Sequence, residues 1–396
     1  MSIRSKIGIT IILSLSIVLL IGWSSAASQG QKPTWKGKIV TENSIKVVKN
    51  PADPFFGELI FQLEEDMSIG GNENDDNYYF PTGITGLNVD EDGNIYVSDI
   101  GNSRVQQYDK TGKFIRTFGR KGQGPGEFRF PSQIQFDIEG NICVFDSRFI
   151  QIFARNGISK NKIPMKTVPN YGFLTAKGTI FGTVQIGFES GGPKEAVIKL
   201  DREGGSPQTI ADFSAEHKAS HNSIVWHSYS SRVIISPVDT AFFCYGLSTN
   251  YRIFLADEEG KTILIIEKEE KPLPISSKEK DSVKKGPLAG EWRSGKANLR
   301  EELVFPDHRP YFSRILADNA GRIYVVRLKS ILVQTPDTMI DVFSRDGHYL
   351  YHAKIFFVPN KIKSGSAYEI RENKETGDFK IIRYKVKNWE QIKDGI

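Results

Sequence analysis

Two stretches of the sequence decide the fold: VDEDGNIYVSD at residues 89–99 and FDIEGNICVFD at residues 136–146. They begin 47 residues apart, and each joins two apolar runs through a turn that contains Gly and Asn. Glycine accepts the positive φ that tight hairpin turns require, and alternating apolar residues are typical of half-buried strands. Each stretch therefore predicts two antiparallel strands joined by a short turn.

The repeat continues beyond each hairpin. A third strand at 105–108, a turn and a fourth strand follow the first copy, and a third strand at 150–153 follows the second. Four short antiparallel strands in a period of about 40 to 50 residues are typical of one propeller blade. The sequence therefore predicts a propeller.

Weaker copies of the unit follow, each recognised by its glycine turn. These turns lie at Lys177-Gly178, Asp201–Gly204, Asp257–Gly260, Asp318–Gly321, Asp346-Gly347 and Thr376–Asp378. The last copy lacks an outer strand, and the segment 58–70 can supply it, because it precedes Phe80 as Lys113–Gly119 precedes Phe130. Closure by this N-terminal strand leaves no open sheet edge. We predict six blades, with seven as the alternative.

One charged insertion, at 267–307, interrupts the repeat between blades four and five. Within it, Ser276 and Glu279 have the spacing of a capping box that begins a helix, and Gly286-Pro287 would end the helix. Together with the long connections 120–129 and 215–231, the insertion falls on the face that also receives the loops between second and third strands. We call it the loop-rich face and expect recognition there.

The runs Asp92–Asp99, Asn102–Gln106 and Gly122–Phe128 resemble NHL repeats. Across residues 35–390 the chain is similar to exported bacterial six-bladed propellers of that kind. The resemblance implies an all-β, six-bladed propeller of four-stranded antiparallel blades, to which the insertion at 267–307 adds a short helix between blades four and five. It implies little about function, because propellers host many unrelated chemistries.

The first 26 residues read as a secretory signal peptide. Arg4 and Lys6 form a basic start, Ile7–Ile21 is apolar, and small residues lead to a cleavage point after Ala26. An uncleaved anchor is the alternative, although a spanning helix usually needs about 20 apolar residues. We expect an exported protein, periplasmic or secreted, that is a monomer and has no membrane attachment once the signal is removed.

Composition excludes several classes. With 39% hydrophobic and 25% charged residues, the 396-residue chain is neither disordered nor a multi-span membrane protein. A net charge of +5 with 47 acidic residues gives a mixed surface, so we expect no nucleic-acid partner. Cys143 and Cys244 fall in blades that are not neighbours, which predicts two buried free thiols.

Two motifs could suggest cofactor chemistry. Gly290–Lys296 has the spacing of a phosphate-binding loop but lacks the following Ser or Thr, which indicates a chance match. His217, His221 and His227 lie within eleven residues, but a third ligand at that distance from the first two would need a specific loop fold. A polar surface loop explains the histidines, with a metal site as the alternative. We predict no metal ion and no cofactor.

Propeller hydrolases, lactonases and lyases need oxygen or imidazole ligands at the entrance of several innermost strands. The five predicted innermost strands, at 82–87, 132–135, 172–175, 231–234 and 312–315, contain no Asp, Glu or His. The sequence therefore favours a binding or scaffold protein that recognises a protein, a peptide or a small ligand on the loop-rich face. A metal-dependent hydrolase, lactonase or lyase with its site at the central channel remains the alternative.

Arg232 and Arg314 occupy comparable positions near the start of the first strands of blades four and five, with Tyr171 and Tyr311 nearby. Two guanidinium groups that converge without a carboxylate repel each other, and an anionic ligand would relieve that repulsion. The sequence therefore predicts an anionic ligand or an acidic peptide tip at this place. The alternative is that each arginine pairs with a loop carboxylate or stacks on a tyrosine.

Arg104 and Arg148 are further binding candidates. They follow Asp99 and Asp146 at equivalent places in blades one and two. The recurrence suits either ligand binding or hydrogen bonds that fix the loops.

Overall fold

A computed structural model describes residues 34–175, 177–189, 192–201, 203–214, 228–285 and 305–396. The predicted signal peptide, the three histidines between 217 and 227, and Gly290–Lys296 lie outside the described residues. From Trp35 onward the chain forms one compact unit.

Six sheets of at least four strands form the blades of a propeller, as predicted from the repeat. In each, consecutive strands pair antiparallel, because tight turns leave no room for a crossover. From the axis outward, the strands of blades one to three are Ile84–Val89, Ile95–Asp99, Arg104–Tyr108 and Phe114–Phe118; Pro131–Phe136, Ile142–Asp146, Phe149–Phe153 and Ser159–Pro164; and Tyr171–Leu174, Ile180–Glu189, Gly192–Leu200 and Gln208–Ser214.

Blades four to six follow the same order. Their strands are Val233–Pro237, Phe242–Leu247, Arg252–Asp257 and Thr262–Lys268; Phe312–Ala317, Ile323–Arg327, Thr338–Phe343 and Tyr349–Ile355; and Lys361–Lys363, Ser366–Glu372 and Phe379–Val386, completed by Leu63–Gly70. The N-terminal strand pairs antiparallel with Phe379–Val386, so the predicted closure of the last blade is confirmed.

The rest of the N-terminal segment differs from the prediction. Glu58–Ile60, which we had assigned to the closing strand, pairs parallel with Tyr349–Ile355 of blade five instead. Ile45–Asn50 pairs parallel with Thr262–Lys268, and Lys38–Glu42 forms a hairpin with it, which extends blade four to six strands. We call residues 38–70 the N-terminal belt, because it adds strands to three consecutive blades.

Each hydrophobic core lies between two neighbouring blades. Between blades three and four, for example, the rings of Phe181 and Phe243 lie 4.4 Å apart and are fully buried. Cys143 and Cys244 are buried free thiols, as predicted, and burial raises the pKa of each to about 12. Since every blade buries both faces against neighbours, the blades depend on one another for stability.

The glycine turns have the predicted geometry. Gly93 has φ +86° and Gly347 has φ +89°, a region that residues with a Cβ rarely adopt. The other glycines predicted to have positive φ do so as well: Gly112, Gly140 and Gly260.

The insertion after blade four contains a helix, Ser277–Lys285. The backbone N–H of Ser276 donates to Oε2 of Glu279 (2.9 Å), and the N–H of Glu279 donates to Oγ of Ser276 (3.3 Å), so the predicted capping box is confirmed. Outside the blades lie a two-stranded ribbon and two short 3-10 helices: Arg120–Lys121 with Glu127–Phe128, Asp76–Tyr78 and Trp389–Gln391. Among the helices of the described ranges, none has the length and apolar character needed to cross a membrane.

Candidate functional site

A cavity of about 810 Å³ lies on the axis and receives residues from all six blades. Its lining contains the two arginines predicted from the sequence, Arg232 and Arg314, together with Tyr171. The polar side chains around them are Thr85, Gln133, Gln135, Asn170, Thr183, Gln185, Glu195, Ser236, Ser313 and Asn360. The structure therefore brings three of the six candidate residues to one cavity.

Arg232 lies at the loop-rich entrance because its backbone extends the innermost strand of blade four by one pairing. Its N–H donates to Oγ of Ser248 (3.0 Å), and the N–H of Ser248 donates to its carbonyl (2.9 Å). These bonds fix the residue immediately before Val233, with its side chain in the cavity lining.

Arg314 lies on the innermost strand of blade five, just after an irregular pairing between Phe312 and Arg314. Its Nη1 donates to the carbonyl of Pro359 (2.8 Å), and within the described part of the chain no carboxylate pairs with it. Burial lowers the pKa of the guanidinium, while nearby Tyr171 acts in the opposite direction. A partly desolvated cation without a counter-ion favours an anionic ligand.

Glu195 is a cavity residue that the sequence analysis missed. It comes from the third strand of blade three and lines the axis because the innermost strand there is only four residues long. The second strand continues past it, and Gln185 of that strand pairs with Glu195. In the sequence it stands beside Lys194, before the apolar residues Ala196–Ile198, so it gave no distinctive signal.

The Glu195 carboxylate is buried and accepts a hydrogen bond from the N–H of Val233 (2.6 Å). Burial raises its pKa, whereas the Val233 N–H and the charge of Arg232 lower it. Of the two arginines in the lining, Arg232 lies close enough to affect Glu195, whereas Arg314 has no carboxylate partner among the described residues.

The remaining candidate residues lie outside the cavity lining. Tyr311 packs between blades four and five, 5.7 Å from the ring of Tyr251 and 4.9 Å from that of His308. Nε of Arg104 donates to the buried carboxylate of Asp99 (2.8 Å), a contact that fixes its loop. Arg148 is exposed.

Arg104 and Arg148 occupy equivalent positions in the sequence, but the aspartates that precede them make different contacts. The Asp146 carboxylate accepts from the backbone N–H groups of Arg129 (2.9 Å) and Phe130 (2.6 Å). Blade two therefore uses its aspartate to hold the connection from blade one, whereas blade one uses Asp99 to hold an arginine.

A second cavity, of about 680 Å³, lies where blade five meets the N-terminal belt, and its lining is charged. Nη1 of Arg327 and Nζ of Lys268 both donate to Oε2 of Glu270, each at 2.5 Å. Beneath them, Nδ1 of His352 contacts Oδ1 of the fully buried Asp341 (2.9 Å). Glu270 and Asp341 are thus each paired with basic side chains here.

Within the ranges that the structure describes, no three His, Cys, Asp or Glu side chains are grouped so that they could hold a metal ion.

Comparison with known proteins agrees with this architecture. Residues 80–238 match the model of a family described as a 6-bladed beta-propeller, DUF5128. No curated protein matches the chain by sequence. The sheet order and the family match together define this chain as a six-bladed β-propeller.

Solved structures share the fold at low identity. A Bacteroides fragilis protein described as exported is 12% identical, with a TM-score of 0.50, over 85% of this chain and 100% of its own. A duf4221 family member from Bacteroides vulgatus is 8% identical, with a TM-score of 0.50, over 82% and 98%. Virginiamycin B lyase from Staphylococcus aureus is 12% identical, with a TM-score of 0.41, over 82% and 99%. Such distant likeness shows the fold alone.

Proposed function

We propose that this propeller binds a small organic anion at the entrance of its central cavity. One observation carries the proposal: Arg232 and Arg314 line the same cavity, with Glu195 as the only carboxylate in the described lining. The volume of about 810 Å³ lies within the range of small-molecule sites, about 300 to 1,000 Å³.

The chemistry of the entrance suits a carboxylate. A guanidinium binds carboxylate oxygens through charge-assisted hydrogen bonds, which are stronger than those between neutral groups. Arg314 has a backbone carbonyl as its hydrogen-bond acceptor, and an anion offers a stronger one. The hydroxyl of Tyr171, in the same lining, can supply a further donor.

We further propose that the protein is exported and that it is a monomer. The signal-like segment 1–26 supports export, and likeness to a protein described as exported agrees with it. Fractionation of cells with mass measurement of the mature chain tests export, with cleavage after Ala26 expected. Retention of the uncleaved chain in the membrane fraction would support the anchor instead. Light scattering of the mature protein tests the monomer.

Binding is tested by titration calorimetry of the mature protein at constant ionic strength. The probes are acetate, succinate, citrate and inorganic phosphate, with methylammonium as a cationic control. Replacing both cavity arginines, R232Q with R314Q, should weaken anion binding at least about tenfold. The exposed Arg148 supplies the matched control, and R148Q should leave binding unchanged.

Three outcomes would contradict the proposal. Anion binding that survives the double substitution would place the site elsewhere, and its loss in R148Q would place it on the blade loops. Turnover of an ester or lactone that requires added calcium would support the enzymatic alternative.

A further inference from the structure

Uncharged hydrogen-bonding side chains line the central cavity on every side. Amides and hydroxyls reach it from all six blades, whereas its charged side chains are Arg232, Arg314 and Glu195. A polar site of this kind recognises its ligand through hydrogen bonds as well as through charge.

Several of these uncharged groups have no hydrogen-bond partner within the described part of the chain. They are the side-chain amide of Gln135, Nε2 of Gln133 and the hydroxyl of Thr183, and each of these atoms is accessible to solvent. Oε1 of Gln133, in contrast, accepts a hydrogen bond from Oγ of Ser132 (2.9 Å). Because buried polar groups are normally paired, free ones that line a cavity can serve a ligand.

The ring arrangement places the glutamines opposite Arg314. Each innermost strand contacts the innermost strands of the blades before and after it, so the blades follow one another around the axis in chain order. In a ring of six, blade two therefore lies across the axis from blade five. Gln133 and Gln135 belong to blade two, and Arg314 belongs to blade five.

Gln133 and Arg314 also lie at a similar depth in the channel. Gln133 is three residues before Phe136, and Arg314 is three residues before Ala317, where the innermost strands of blades two and five end. Gln135 lies two residues further along its strand, a step of about 7 Å. The amide groups of blade two thus begin at the depth of the cation and continue deeper.

From the free amides and hydroxyl across the channel from an arginine without a carboxylate partner among the described residues, we infer that the ligand is a polyhydroxylated carboxylate, the chemistry of a sugar acid. Its carboxylate binds Arg314, and its hydroxyls exchange hydrogen bonds with Gln133, Gln135 and Thr183. A side-chain amide offers a donor and an acceptor side by side, and two neighbouring hydroxyls can meet both. This inference rests on the proposed function, since it concerns the same site.

The test compares carboxylates with and without hydroxyls by titration calorimetry on the mature protein at constant ionic strength. Gluconate should bind at least about tenfold more tightly than hexanoate, which has the same carbon chain without hydroxyls. Glucitol, which has the hydroxyls without the carboxylate, should bind much more weakly than gluconate. N-acetyl-diglycine, which has peptide groups in place of hydroxyls, should also bind more weakly.

Variants separate the amide wall from the cation. Q135M should weaken gluconate binding about threefold to tenfold, the usual effect of one hydrogen bond, and should leave acetate binding nearly unchanged. The same substitution at the exposed Gln208, on the outermost strand of blade three, is the matched control, and Q208M should change neither. If Q135M fails to fold, T183V examines the site by replacing one hydroxyl with a methyl group. R314Q should weaken every carboxylate in the series.

The two proposals fail differently. If acetate, citrate and gluconate all fail to bind, the proposed function itself is wrong. If hexanoate binds as tightly as gluconate, or if Q135M lowers the affinities for acetate and gluconate equally, anion binding stands and the polyhydroxylated ligand is wrong. Tighter binding of N-acetyl-diglycine than of gluconate would likewise overturn the sugar acid, in favour of a peptide C-terminus.

Discussion

The phenol of Tyr251 donates a hydrogen bond of 2.5 Å to Oδ2 of Asp341, and this contact joins two neighbouring blades. Tyr251 precedes the third strand of blade four, and Asp341 lies 90 residues later, in the third strand of blade five. Both residues are buried, so the bond is made away from water. It links the blades that carry Arg232 and Arg314.

Further donors surround the same carboxylate. Tyr349 donates to Oδ1 (2.6 Å), and His352 contacts the same oxygen (2.9 Å), while Arg327 and Lys268 lie 3.2 and 3.3 Å from Oδ2. Burial alone would raise the pKa of Asp341. The His352 contact and the charges of Lys268 and Arg327 outweigh it and hold that pKa well below its usual range.

Asp341→Asn should therefore lower the free energy of unfolding by about 3 kcal/mol. The substitution leaves the buried cations without one counter-charge, and breaking a buried ion pair typically costs about 3 to 5 kcal/mol. Urea denaturation measures the change. Glu372→Gln is the control, because Glu372 pairs with Lys374 on the surface and should cost less than about 1 kcal/mol. Equal effects of the two substitutions would contradict a structural role for the buried network.

A pH dependence follows from Glu279, a buried residue in the first turn of the insertion helix. Burial raises its pKa, but hydrogen bonds from Ser330, Tyr229 and Ser276 outweigh burial and lower it from 4.5 to about 2. A lowered folded-state pKa stabilises the protein above pH 4.5, and this contribution is lost as the pH falls towards about 2. Low pH should thus weaken the attachment of the helix to Tyr229 and Ser330.

Glu279→Gln should lower the melting temperature at pH 7, and the difference from the unmodified protein should shrink between pH 4.5 and about 2. The loss at neutral pH is expected to be about 1 to 3 kcal/mol, as for other buried hydrogen-bonded groups. Asp281→Asn, at an exposed position of the same helix, should change little at any pH. A difference for Glu279→Gln that stays constant down to pH 2 would disprove this titration.

The strands and turns of the blades could be predicted because they depend on residues that are close together in the sequence. The turn at Gly93 and the strands around it follow from a few adjacent residues, and the repeat at Gly140 shows the period. The belt strand Ile45–Asn50 was not assigned, because its partner is the parallel strand Thr262–Lys268, more than 200 residues away. Nothing near Ile45 in the sequence specifies that pairing.

The site was partly predictable for the same reason. Arg232 and Arg314 both lie near the start of an innermost strand, which indicated a shared cavity, but the pairing registers place Arg314 level with Ile234 and not with Arg232. The short innermost strand of blade three was predicted, but a side chain from a third strand, such as Glu195, was not expected to reach the axis. Asp341 left a readable signal, a single acid within the otherwise apolar core of Thr338–Phe343.

Closure of the ring by the N-terminal belt should make thermal unfolding of the propeller cooperative. Deleting residues 57–70 removes the outer strand of blade six, including the fully buried Ile69, and exposes a sheet edge. We expect the single melting transition to broaden and shift down by more than 10 °C, about the effect of several kcal/mol. A permuted chain that carries this segment after Ile396, joined by a flexible linker, should recover the transition. A truncated protein that melts like the intact one would refute closure.

Substitutions of the turn glycines should lower the stability of the fold and leave ligand binding unchanged. Gly93 has φ +86°, and a Cβ added there would meet only Cβ of Lys110, at 3.2 Å, so Gly93→Ala mainly adds backbone strain. The expected cost is about 1 kcal/mol, and Gly93→Asn should cost less, because asparagine tolerates positive φ. Chemical denaturation measures both variants, and citrate titration checks anion binding at the central cavity. An alanine variant as stable as the unmodified protein would contradict the turn assignment.

The cavity arginines should show the reverse pattern, loss of binding with little loss of stability. Arg314 donates to the carbonyl of Pro359 and has no carboxylate partner among the described residues, so Arg314→Met removes a desolvated cation at the cost of one hydrogen bond. These effects oppose each other, and the free energy of unfolding should stay within about 1 kcal/mol of its original value or rise.

Asp341→Asn is the reference variant for this prediction. Both residues are charged and removed from water, but Asp341 has counter-charges beside it, and Arg314 has none among the residues that the structure describes. Urea denaturation of Asp341→Asn and Arg314→Met, together with citrate titration of both, should distinguish a charge that stabilises the fold from a charge that binds a ligand. If Arg314→Met destabilises the propeller as much as Asp341→Asn does, Arg314 is structural, and the anion site loses its main support.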